Sequence, residues 1–153
     1  MSILLDLIEK FEGMHKRLPS GLIGPYLCPA GKPTQGLGML VESLGVPPIT
    51  EEEARRRCEA ALPFYKAQAL KYSPNLAKFP DILDAITDFV YNLGPGAYAA
   101  STLRKAVAAE DWEWVIRELR KWVMGGGRRL PGLVARRGAE GAIIARAAGL
   151  SAG

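Results

Sequence analysis

A carboxyl, a thiol and a hydroxyl, those of Glu12, Cys28 and Thr34, stand within one short stretch of this chain. Glu12 follows Phe11 where a segment of helical apolar spacing runs into Gly13, so it should close a helix beside an aromatic ring. A carboxyl partly desolvated there has its pKa raised and stays protonated, the state required of a general acid. Without further signals, a glutamate is simply a solvated surface charge. Cys28, with an ordinary thiol pKa of about 8.5, is mostly neutral at pH 7 unless a positive neighbour lowers it. Thr34 can both donate and accept, and so hold a water, or it can bond its own backbone as a strand threonine. His15, between Met14 and the basic pair Lys16 and Arg17, reads as a surface residue rather than a proton carrier. Two cysteines and one histidine form no ligand cluster of recognisable spacing, so neither a metal nor a cofactor is expected.

The elements that must position these groups follow from periodicity and punctuation. Ser2 can cap a first helix with Leu4, Leu5, Ile8 and Phe11 on one face and Gly13 at its end. From Leu18 to Pro48, six glycines alternate with prolines, which forbids a long helix and predicts short strands and turns. Thr50 and Glu53 form a capping box, and Ala54, Cys58, Ala61 and Tyr65 then share a stripe, which makes Cys58 a core residue. Pro80 opens a central helix carrying Ile82, Ala85, Ile86, Phe89 and Val90, stopped at Leu93-Gly94-Pro95-Gly96. Ser101 or Thr102 opens a short helix to Ala109. Asp111 caps another with Trp112, Val115, Ile116, Leu119, Trp122 and Val123 on one face, ended by Gly125-Gly126-Gly127. Pro131 starts a last helix to Gly149 through Leu133, Val134, Ile143 and Ile144. The expected fold class is α+β, mainly α: a small strand-and-turn lobe plus a helical bundle.

With 153 residues, the chain fits a single domain, 1–153. Hydrophobic residues make 48% and charged residues 24%, the balance of a folded globular protein. Its apolar runs are well short of the roughly 20 residues of a membrane span. MSILLDLIEKFEG has neither a basic leader nor a small-residue cleavage site, so no signal peptide is expected, and free thiols are the default over one disulfide. The formal charge is +4. It concentrates at Arg117, Arg120, Lys121, Arg128, Arg129, Arg136 and Arg137, against Glu118 alone, as either a solvated basic face or an anion-binding one.

Phe11-Glu12-Gly13, then Tyr26-Leu27-Cys28-Pro29-Ala30-Gly31-Lys32-Pro33-Thr34-Gln35-Gly36-Leu37-Gly38, then Ile49-Thr50-Glu51-Glu52-Glu53-Ala54 resembles the opening of phage endolysins of glycoside hydrolase family 24. Asp88 to Gly94, Ser101-Thr102-Leu103, and Trp122-Val123 followed by Leu130 to Glu140 resemble that family's later motifs, in the same order. Two departures stand out. An extra segment of about seven residues, spanning roughly His15 to Gly24, separates Glu12 from Cys28, and Leu37 and Met39 stand where the family usually has tyrosine and histidine.

The resemblance implies a lysozyme-like fold and a muramidase that hydrolyses the β-1,4 bond between N-acetylmuramic acid and N-acetylglucosamine in bacterial peptidoglycan. Within it, Glu12 is the general acid, Cys28 takes the second-carboxylate position and Thr34 matches the third active-site residue. Cys28 could be a thiolate that activates water, a thiolate that stabilises the oxocarbenium-like state, or a neutral thiol that shapes the cleft. The expected life of the protein is that of a monomer in the host cytoplasm, released to the cell wall or periplasm by a separate holin-type permeabiliser. A lytic transglycosylase, which leaves 1,6-anhydro ends and needs only one carboxyl, is the competing enzyme. A basic nucleic-acid-binding module is the competitor of another class, and no nucleic acid is expected as partner.

Overall fold

The computed structural model describes residues 3–150 and divides into two compact units, Met1–Pro63 and Phe64–Gly153. In the first unit, α1 (Ile3–Glu12) buries Leu4, Leu5, Leu7 and Ile8 and stops at Gly13, whose N–H donates to the Glu9 carbonyl at 3.2 Å. The cap expected at Ser2 lies outside the described residues. The glycine- and proline-rich stretch folds into the antiparallel sheet β1 (Tyr26–Leu27), β2 (Pro33–Gln35) and β3 (Met39–Leu40), with Tyr26 opposite Thr34 and Gln35 opposite Met39. The extra segment is a small hairpin of its own. Arg17 bridges Ile23, Leu18 N–H donates to the Leu22 carbonyl at 2.9 Å, and Ile23 bridges Ile49. Gln35 ties this hairpin to the sheet, since its side-chain amide donates to the carbonyls of Ile23 and Pro47 at 3.0 and 3.1 Å.

The next helix, α2 (Glu51–Tyr72), starts where the capping signal puts it, with Glu53 N–H donating to Thr50 Oγ1 at 3.0 Å. Among the described residues the reciprocal half of the box is not made, and the Glu53 carboxylate accepts from Arg56 and Arg57 instead. Those hydrogen bonds and the two positive charges hold Glu53 down at about 2. Cys58 is fully buried, as its stripe predicts, and Cys28 is a free thiol.

In the second unit, α3 (Pro80–Leu93) runs through the middle of the apolar cluster, burying Ile82, Ala85, Ile86, Phe89 and Val90. Around it lie α4 (Pro95–Ala99), α5 (Thr102–Ala108), α6 (Trp112–Leu119) and α7 (Pro131–Ala147). Ser101 and Asp111 cap α5 and α6 by accepting from the N–H groups of Arg104 and Trp114, and these two caps were legible. The helix predicted through Trp122 and Val123 ends earlier, at Leu119. Trp122 still packs on Phe89, ring centroids 5.3 Å apart, but from a turn. Beyond it, the glycine run makes the hairpin β4 (Met124–Gly125) and β5 (Arg128–Arg129) rather than a bare break.

The basic run also needs correction. Arg136 and Arg137 are 3% and 1% exposed, so they belong to no solvated face. Arg136 grips Asp88 through two hydrogen bonds, Nε to Oδ2 at 2.9 Å and Nη2 to Oδ1 at 2.7 Å. Arg137 bonds Asn92 and Glu140 through Nη2, and its guanidinium lies 5.0 Å over the Phe89 ring. Among the described residues no helix is long and apolar enough to cross a membrane.

Candidate active site

Glu12, Cys28 and Thr34 all belong to the first unit, and each is carried by a different local device. Glu12 is the last residue of α1. One turn earlier, Glu9 accepts from Arg55 Nε at 2.6 Å, which ties α1 to α2. The sheet is brought against α2 at Gly36, where a Cβ would lie only 2.9 Å from that of Ala54. Gly38 then brings the backbone after β2 onto the Glu12 side chain, so closely that a Cβ at Gly38 would stand 2.6 Å from Glu12 Oε1.

Cys28 opens the tight turn between β1 and β2. Gly31 N–H donates to its carbonyl at 2.8 Å, and its own N–H donates to the Lys32 carbonyl at 2.9 Å. This turn folds the backbone N–H groups of Lys32 and Ala30 onto the half-buried thiol. The Lys32 N–H is the main influence holding the thiol below its ordinary value. The Ala30 N–H, the Thr34 hydroxyl and the Lys32 ammonium act in the same direction, against a smaller opposing effect of desolvation. A sequence reading could foresee only a positive neighbour; most of the effect comes from backbone donors that exist only once the turn has formed. The turn thus favours the ionised form of the Cys28 thiol.

Thr34 is 2% exposed and donates its hydroxyl to the Lys32 carbonyl at 2.9 Å. Its single proton serves that carbonyl or the Cys28 sulfur, one at a time. It thus makes the local backbone bond of an ordinary strand threonine while also bordering the thiol.

Tyr26 was part of the motif but received no role on sequence grounds. Two positions before Cys28 along the β1 direction, it falls on the same side of the strand, the one signal that could have found it. Burial pushes its hydroxyl up, and the negative charges of Glu12 and Cys28 add to the rise, so Tyr26 lies within electrostatic reach of both. His15 is exposed, in keeping with its expected surface position, yet its ring packs 5.2 Å from that of Tyr26. The extra segment therefore reaches the edge of the cluster. Among the described residues no group of three metal-ligating side chains occurs.

The family model described as phage lysozyme matches residues 9–140. An endolysin of Acyrthosiphon pisum secondary endosymbiont phage 1 is 34% identical over 148 residues, covering 92% of this chain and 93% of the relative. The solved endolysin from Escherichia coli O157:H7 phage FAHEc1 superposes with a TM-score of 0.70 at 27% identity, over 94% of this chain and 93% of the other. The muramidase domain of SpmX from Asticaccaulis excentricus gives a TM-score of 0.71 at 22% identity, over 94% of this chain and 95% of the other. At that identity, the likeness concerns the fold alone.

Proposed function

The chain belongs to the phage lysozyme family, and from that membership we propose that it hydrolyses the β-1,4 bond between N-acetylmuramic acid and N-acetylglucosamine, with Glu12 as its general acid. It is an endolysin-type lysozyme; the bond is taken from the family, the roles of the residues from the site, and residues 1–153 are taken as one catalytic domain. The observation that carries the assignment is the approach of Gly38 to Glu12, where a Cβ would lie 2.6 Å from Oε1, which sets the carboxyl against the backbone that follows the strand of Thr34 and the turn of Cys28.

In this reading, Glu12 gives its proton to the leaving glycosidic oxygen as the bond to the anomeric carbon breaks. The thiolate of Cys28, favoured by the N–H groups of Lys32 and Ala30, takes a proton from the water as its oxygen bonds to the anomeric carbon from the other face. Thr34 is buried, so its help to that water passes through Cys28, by a hydroxyl that shares its proton between the Lys32 carbonyl and the sulfur. The protein acts as a monomer, held in the host cytoplasm until a separate holin-type permeabiliser admits it to the wall.

The test is turbidity loss of Gram-negative cells stripped of their outer membrane, with mass spectrometry of the released muropeptides. Reducing ends are expected, and 1,6-anhydro ends would make the enzyme a lytic transglycosylase. Glu12→Gln should lower lysis by at least the roughly 10² to 10⁴ that general acid catalysis contributes. Normal lysis by a folded Glu12→Gln protein would remove the assignment.

A further inference from the structure

We propose that the groove between α6 and α7 is a binding site for a phosphate-bearing anion, built from residues that the Glu12 cluster does not use. A cavity of about 800 Å³ opens there. Arg117 and Arg120 line it from α6 and the turn that ends it, and Arg137 and Arg146 from α7, against one acidic residue, Glu113. Arg117, Arg120 and Arg146 are exposed, and among the described residues none of them pairs with a carboxylate. Four guanidinium groups around one carboxylate form a field that selects anions, and their planar forks match the oxygens of a phosphate.

Arg137 supplies an independent sign. It is 1% exposed and lines the same cavity, yet its Nη1 has no hydrogen-bond partner among the described residues. Its Nη2 is satisfied by Asn92 and Glu140, and its Nε lies 2.8 Å from Glu140 Oε1. Buried donors are rarely left without an acceptor, and a small turn of the Arg137 side chain toward an anion in the groove would provide one.

The wall of the groove is cut from glycine in mid-helix, where glycine is disfavoured. At Gly141 a Cβ would stand 3.5 Å from Ile116 Cγ2, so α6 and α7 approach closely there. At Gly138 a Cβ would meet nothing within 4 Å, so its absence leaves room. The space suits a phosphate ester better than a bare carboxylate. Ile116 and Leu150 border it and can take the ester's carbon skeleton.

Calorimetric titration of the full chain with pyrophosphate, at low and at physiological salt, tests the site. One saturable site is expected in the wild type. Binding should fall at least tenfold in the double variant Arg117→Gln, Arg120→Gln, and likewise in Gly138→Leu, which fills the open space. The double variant changes exposed side chains only and should melt as the wild type does, which separates lost binding from lost folding. Absence of saturable binding, or affinities within twofold of wild type in both variants, would overturn the proposal. Vesicles of phosphatidylglycerol in phosphatidylcholine identify the source. Vesicle binding competed by pyrophosphate means a lipid headgroup, and pyrophosphate binding without vesicle binding means a soluble phosphate ester.

Discussion

Gly38 stands directly against the Glu12 carboxyl: a Cβ on it would lie 2.6 Å from Oε1 and 3.1 Å from Cδ, and its φ of +81° is one that side chains rarely adopt. Both facts require glycine, but they predict different losses. In Gly38→Ala the backbone strain should cost on the order of 1 kcal/mol of stability. The displaced carboxyl should cost on the order of 10² in lysis, the scale of a misplaced catalytic group. Gly21→Ala is the control, since φ there is +86° but nothing lies within 4 Å. It should lose similar stability and keep its lysis. Equal lysis by the two variants would show that Gly38 does not position Glu12.

The parts of this molecule that were legible in the sequence are those decided by local chemistry. A side-chain oxygen placed to accept a helix's first N–H groups does so at Thr50, Ser101 and Asp111. Trp122 misled because its spacing continues the stripe of α6, while the chain has already left the helix and follows the hairpin that the glycine run turns. Its burial is obtained by packing on Phe89, not by helical position. Arg136 and Arg137 were counted with a surface run because their partners Asp88 and Asn92 lie far away in sequence, and no local pattern announces such pairs. At the site, the three residue types were readable, but the N–H groups of Lys32 and Ala30 that act on Cys28 come from turn geometry rather than residue identity.

Phe89 is fully buried, edge-on to Tyr98 and Trp122, and under the Arg137 guanidinium. Removing the ring leaves a cavity and takes away the face on which that buried cation rests. Phe89→Ala should destabilise the protein by about 3 to 5 kcal/mol in denaturant melts. A midpoint near that of wild type would refute its central place.

Asp88 and Arg136 form a buried pair held by two hydrogen bonds. Breaking it from one side leaves a charge without its partner, so Asp88→Asn and Arg136→Met should each cost roughly 3 to 5 kcal/mol. The double variant should cost less than the sum of the two. Additive losses in this double-mutant cycle would show that the pair does not act as a unit.

Cys28 offers the sharpest test of the chemistry, because its turn favours the ionised thiol. Cys28→Asp should retain substantial lysis, since a carboxylate accepts from the same N–H groups. Cys28→Ser should lose most of it, since a hydroxyl of similar size does not ionise near neutral pH. The pH dependence follows from the sign of the shift. A thiol held below its ordinary value is a thiolate above that lowered pKa, so lysis should rise with pH through it and fall below it. Alkylation by iodoacetamide should follow the same curve, with a midpoint below the free-thiol value of about 8.5. Cys58, fully buried, should react slowly and serve as the internal reference. Full lysis by Cys28→Ser would mean that the sulfur only fills space. Glu12 and a water held without the thiolate would then carry the reaction.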